Sequence, residues 1–256
     1  EEIEFLLVGD SFTMGSCVNR PHDIASNLRL LSNKNALNLG YVANGPLFQY
    51  ATLREYLDKN VKKVIWLKFE NDIFNLDRDL KSNILLNYLN EESFSQKLKL
   101  KQYNIDNSLT EFFSKVEALE AKKQLNDKKE KNSLIYKIEK FITLKNIREL
   151  FLDRYLTKYN IQKKIRPEFE KILFKSKELS KKNNSDFYFV FLPSYERYAY
   201  GYDKEKILYD QIKTIVNKLD IKFIDIHKEF IAKKNGQLKY FPFQTSGHYN
   251  IDGYKE

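Results

Sequence analysis

The sequence holds a single cysteine, Cys17, so no disulfide can form within the chain. Its three histidines, His22, His227 and His248, stand at no spacing that resembles a metal-binding set, and no cofactor is implied. No apolar run reaches the roughly 18 residues that a membrane-spanning helix needs. Glycine is scarce as well: 8 residues in 256, at positions 9, 15, 40, 45, 201, 236, 247 and 253. None falls between Gly45 and Gly201, a stretch that reads as mostly helical. What is present excludes disorder. A hydrophobic share of 42% with 14% aromatic residues is enough for one large domain, or one domain carrying a long insertion. In such a chain Cys17 reads most simply as a small buried residue.

The net charge of +9 is unevenly placed. Positions 115–166 contain 15 Lys and Arg against 7 Asp and Glu, and the rest of the chain is close to neutral. The excess is therefore local, which argues against nucleic acid as the main partner. The basic segment suits either a peripheral anionic surface or an ordinary solvated helical face, and the second is the plainer reading.

Short apolar runs with turn signals behind them predict strands at Ile3 to Val8, Ala36 to Leu39, Val64 to Phe69, Phe187 to Leu192 and Lys222 to Ile226. Runs such as "FYFVFL" are hydrophobic without alternation, the habit of parallel strands covered on both faces. Helical patterns lie between them, with Ile24, Leu28 and Leu31 after the first strand and Ile207, Ile212, Ile215, Val216 and Leu219 before the last. This alternation predicts an α/β fold, a three-layer αβα sandwich on a parallel five-stranded sheet. It stops over 77–167, which reads as a helical insertion within a single domain 1–256. There "SLTEFF" from Ser108 carries a capping-box signature for a helix start. "LNDKKEKN", Leu125 to Asn132, reads as a solvated link between two helices, and an apolar stripe runs through 134, 138, 141, 142, 147, 151 and 155.

Four stretches at predicted strand ends carry chemistry. "VGDSFTMGS" places Ser11 between a buried strand and a helix start, where backbone N–H groups favour negative charge. By itself that position suits a helix cap as well as a nucleophile. "LNLGYVANGP" brings Gly40, Asn44, Gly45 and Pro46 to a turn that a ligand can approach. "FENDIF" puts Asn71 and Asp72 after the third strand, and "SGHYNIDGY" sets His248 in a Gly-flanked loop, where an imidazole can act as a base near neutral pH. His22 and His227 read as structural.

The set of Gly9-Asp10-Ser11, the "NLGYVANG" loop, Asn71-Asp72 and late His248 in "HYNIDGY" resembles the SGNH/GDSL hydrolase family. The likeness covers the flanks 1–76 and 168–256, and is greatest to bacterial members carrying "NGP", "ATLREY" and "LPSYERY". It implies a flavodoxin-like fold, Ser11 as nucleophile and His248 as general base. It also implies an oxyanion hole built from the N–H of Ser11, a backbone N–H at Ala43 and the side chain of Asn71, with Asp10, Gly40, Asn44 and Gly45 lining the substrate. Two positions depart from the family pattern. Phe69 replaces a glycine, which is expected to narrow the pocket, and Thr245 stands where the acid that orients the histidine belongs. Asp225, ending the last strand, is the candidate replacement acid.

The function implied is a serine esterase or acyl-transfer enzyme acting on an O-acylated carbohydrate or another small ester. The alternatives are a non-catalytic module that binds such a glycan or ester through a degenerate triad, and an envelope protein that meets an anionic surface through 115–166. A chain opening inside a strand and closing at "GYKE" is expected to be part of a longer bacterial envelope protein with an N-terminal anchor.

Overall fold

The computed structural model describes residues 2–69, 72–130, 164–199, 203–232 and 236–256. It divides into two units, one formed by 1–96 with 164–256 and the other by 97–163. In the first unit the five strands are β1 (Ile3–Val8), β2 (Ala36–Asn38), β3 (Val61–Phe69), β4 (Asp186–Leu192) and β5 (Lys222–Asp225). They form one parallel sheet of order β2-β1-β3-β4-β5. The helices are α1 (Ser11–Met14), α2 (Ile24–Ser32), α3 (Pro46–Tyr56), α4 (Asp72–Asp79) and α5 (Asn83–Asn90), with α6 (Gln102–Glu130) in the second unit. After 163 follow α7 (Pro167–Lys182), α8 (Tyr195–Ala199), α9 (Asp203–Lys218), α10 (Ile226–Ala232) and α11 (Ile251–Lys255). Among the described residues no helix is long and apolar enough to cross a membrane.

The sheet is covered on both faces, and the two-residue period of each strand divides its side chains between two cores. Leu6, Val8, Val64, Trp66, Phe187, Phe189 and Phe191 face α3, α7 and α9, with Leu47, Leu53, Phe169, Ile172, Ile212 and Val216 as partners. Leu7, Leu67, Phe69, Val190 and Leu192 face the other way, toward Phe12, Ala25, Phe230, Tyr249 and Tyr254. Burial on both faces is why the strands read as unbroken hydrophobic runs. Leu31 departs from its predicted place and is exposed, whereas Ile24 and Leu28 pack on the second core.

Two local expectations fail in the second unit. Helix α6 runs unbroken from 102 to 130, so Ser108 starts no helix and residues 125–130 form no link. Its Ser and Glu residues sit on a solvated helix where no apolar partner marks an end, and a capping pattern in mid-helix is only a coincidence of spacing. The apolar stripe from 134 to 155 and most of the basic segment lie outside the described residues.

Candidate active site

In the order 2-1-3-4-5 the chain changes its direction of travel across the sheet between β1 and β3, the place where open α/β sheets hold their ligands, at the carboxyl ends of the strands. Chain leaving β1 passes through Gly9 and Asp10 and enters α1 at Ser11. The helix cap here is Asp10, whose Oδ1 accepts the Phe12 N–H at 2.9 Å. Ser11 is thereby released from capping. Its Oγ lies 2.7 Å from Nε2 of His248 and 3.4 Å from Oδ2 of Asp10. The structure therefore brings together the two residues that the sequence singles out, 237 positions apart.

Glycine is required on both sides of this turn by close approach. A Cβ on Gly9 would lie 1.9 Å from Thr13 Oγ1 and 2.7 Å from the Leu67 carbonyl oxygen. One on Gly40 would lie 2.5 Å from Thr13 Cβ and 2.6 Å from the Met14 nitrogen. The second loop is thus pressed against α1. Asn38 locks it there, donating from Nδ2 to the Thr13 carbonyl at 2.6 Å and accepting the Gly40 N–H on Oδ1 at 2.9 Å.

This bonding narrows the backbone donors that the loop can offer to the N–H groups of Val42, Ala43 and Gly45, which make no hydrogen bond among the described residues. The N–H groups of Gly40, Tyr41 and Asn44 go to Asn38 Oδ1, the Gly9 carbonyl and the Tyr41 carbonyl. Ala43 sits in the left-handed region at φ 62°, its carbonyl is held by Arg78, and its N–H makes no hydrogen bond among the described residues. Asn44 and Gly45, expected to line the substrate, are packed inward in this structure. Asn44 is buried and its carbonyl holds Gln49 at 2.8 Å, while Gly45 leaves room for Asp79. Burial raises the Asp79 carboxyl above its usual range, against the Phe48 N–H that it accepts at the start of α3. Asp10 is likewise buried beneath its cap. Asn71 lies outside the described residues.

His248 is held by the residues that follow it. The Tyr249 hydroxyl donates to the Pro193 carbonyl at 2.7 Å, and Asn250 caps α11 through the Gly253 N–H at 2.9 Å. The Tyr254 hydroxyl donates to the Ser16 carbonyl at 3.0 Å, tying α11 back to the nucleophile's turn. Phe12 lies against the imidazole, with ring centroids 4.5 Å apart, and stacks on Phe69 at 3.8 Å. Phe69 is therefore buried in the second core against Phe12.

The orienting acid is not Asp225. That carboxylate accepts from the Tyr209 hydroxyl and from the Lys228 N–H, and its field falls on His227. Thr245 is exposed and its hydroxyl bonds the Pro242 carbonyl. The Nδ1 of His248 instead faces the sulfur of Cys17, at 3.7 Å. Cys17 is exposed, against the expectation of burial, because the turn behind α1 places it at φ 72° and points it along the site. Desolvation lowers the pKa of His248 below its ordinary value of 6.5, and the charge of Asp10 opposes the shift. Sequence reasoning missed Cys17, Tyr249 and Tyr254. The aromatic pair at 249 and 254 was visible inside the motif, but nothing in the spacing marks Cys17.

His227 lies in the first turn of α10, buried, with Nδ1 3.1 Å from the Tyr198 hydroxyl. Burial, with help from the Arg197 charge and against that of Asp225, pushes its pKa down to about 4. Below the ordinary value of 6.5 the unfolded chain then takes up a proton that the folded chain refuses. Stability should fall as pH drops from about 6.5 to about 4, by up to about 3 kcal/mol. Urea midpoints of wild type and His227→Gln should diverge over this window, with the variant losing less.

No protein-family model matches the sequence, and no curated protein matches it either. Among solved structures the chain is similar to a protein assigned to the lipolytic G-D-S-L family from Desulfitobacterium hafniense DCB-2. The TM-score is 0.52 at 12% identity, covering 99% of this chain and 94% of that one. It is also similar to a member of the lipolytic G-D-S-L family from Veillonella parvula DSM 2008, with a TM-score of 0.50 at 14% identity over 99% and 92% of the two chains. At such identities the likeness is one of fold, and the fold is that of the SGNH/GDSL hydrolases.

Proposed function

We propose that the protein is a serine hydrolase of the esterase type, working through a covalent acyl-Ser11 intermediate. The observation that carries this reading is the 2.7 Å contact between Ser11 Oγ and His248 Nε2 at the carboxyl end of β1. As Oγ attacks an ester carbonyl, Nε2 takes its proton; the imidazolium then returns a proton to the departing alcohol. Charge on the tetrahedral oxygen is met by the Ser11 and Ala43 N–H groups, the latter having no competing intramolecular bond among the described residues. Water, or a sugar hydroxyl in the acyl-transfer variant, then attacks the acyl group with His248 again as base. The substrate class is a small or carbohydrate-borne ester. The lipolytic description of the two structural neighbours supports ester chemistry in general.

Incubation with a fluorophosphonate is the direct test. An adduct mapped to Ser11 that blocks turnover of a chromogenic acetate ester is the expected result; no adduct and no turnover would reject the reading. Among the described residues no carboxylate bonds His248 Nδ1, which favours a second reading, a binding module with a degenerate triad. It requires that an acylated glycan raise the melting temperature while Ser11 stays unlabelled.

The base must be neutral to act. With its pKa depressed by burial, the acid limb of kcat/KM should lie below pH 6.5, and activity should persist into mildly acidic solution. A pH–rate profile with its acid inflection above that value would contradict the burial argument.

A further inference from the structure

We infer that Cys17 is the positioning residue for His248, its sulfur taking the place that a carboxylate holds in a Ser-His-Asp triad. The inference rests on the reading of Ser11 and His248 as nucleophile and base. For Nε2 to accept the Ser11 proton, the ring must carry its own hydrogen on Nδ1. An Nδ1–H needs an acceptor on the side of the ring away from Ser11, and the group found there is Cys17 Sγ at 3.7 Å. This is within the range of an N–H···S hydrogen bond.

Among the described residues the nearby acids bond other groups, Glu196 accepting from the Ser246 hydroxyl. Asp225 is bound by Tyr209 and Lys228, and both oxygens of Asp10 are on the serine side, one on the Phe12 N–H and one near Ser11 Oγ. Asp10 contributes charge to the imidazole without touching Nδ1. The turn that bears Cys17 is fastened at several points. The Ser16 N–H donates to the Ser11 carbonyl at 3.0 Å, and the Ser16 carbonyl accepts from Tyr254. Gly15, at φ 90°, lets this turn close over Asp23, where a Cβ would lie 2.5 Å from Asp23 Cβ. The same short turn thus places the nucleophile at one end and the sulfur at the other, with the imidazole spanning them.

The role predicts distinct behaviour for three substitutions. Cys17→Ala keeps the Cβ but removes the acceptor, and should slow Ser11 phosphonylation about 3- to 10-fold, the worth of one neutral hydrogen bond. Cys17→Ser should retain part of the rate. Cys17→Asp should match or exceed wild type, because a carboxylate is a stronger acceptor, and it should move the acid limb to higher pH by stabilising the imidazolium. Aspartate also tolerates the positive φ of this position better than most residues.

The experiment pairs the phosphonylation rate across the acid limb with nitrogen NMR of the imidazole, which three histidines keep resolvable. In wild type His248 should be protonated at Nδ1 when neutral, and Cys17→Ala should shift the population toward the Nε2–H tautomer at unchanged melting temperature. An identical tautomer ratio and an identical rate in wild type and Cys17→Ala would overturn the inference. If no variant labels at all, the nucleophile reading fails by itself, and the tautomer ratio still decides whether Cys17 orients the ring.

Discussion

Ser11→Ala should fold as the wild type does and lose about 10²- to 10⁴-fold in kcat on an acetate ester. The range follows from what the site has and lacks. Removing the nucleophile from a complete Ser-His-Asp enzyme costs on the order of 10⁶, and removing the acid alone about 10⁴. A pair whose histidine rests on a sulfur and a remote carboxylate starts from a lower rate, so less remains to be lost. His248→Ala should fall to the same level, and the double variant no further, because a nucleophile without its base is no better than none. Stability should hardly move. Ser11 is half-buried, and among the described residues its hydroxyl bonds only His248 and Asp10. Burst and steady-state rates of the purified variants, with melting temperatures beside them, decide the matter; undiminished turnover by Ser11→Ala would exclude the acyl-serine mechanism.

Gly9→Ala should be the most damaging of the small substitutions near the site. Its methyl group would sit 2.7 Å from the carbonyl oxygen of Leu67, on β3, and 1.9 Å from Thr13 Oγ1. Neither can retreat easily. Leu67 belongs to the centre of the sheet, and Thr13 is fully buried between β1 and the loop of Gly40. Overpacking of this kind costs about 1–3 kcal/mol, sometimes more. A loss of about 2 kcal/mol would lower the melting temperature by about 4–8 °C in a domain of this size. Activity should fall further than stability, because the strain is relieved by moving α1, and α1 carries Ser11. Adding Thr13→Ala removes the closer clash and should recover part of the loss; strict additivity of the two changes would argue that the contact is not the cause.

The sheet was legible because its central strands β1, β3 and β4 carry buried residues on two faces, and a continuous hydrophobic run as short as Phe187 to Leu192 fits little else than a covered parallel strand. Ser11 and His248 were legible because glycines flank them and glycine is otherwise rare. What failed depended on contacts between distant positions. Asp225 looked available at a strand end, and only the packed structure shows Tyr209 lying across it. The place of Phe69 was not legible, because sequence order does not say that β3 turns its side chain against Phe12. Cys17 looked buried by composition alone, and its left-handed backbone, which sets its direction, leaves no mark in the sequence.

Nearly the whole chain separates Ser11 from His248, and the strands that hold them in register lie between. During translation the nucleophile emerges 237 residues ahead of its base, at about 5–20 residues per second. Until β3 and β4 have joined β1 and the Tyr249 hydroxyl has reached Pro193, Ser11 is an ordinary alcohol. On the proposed reading, the reactivity of Ser11 is thereby timed to the completion of the sheet.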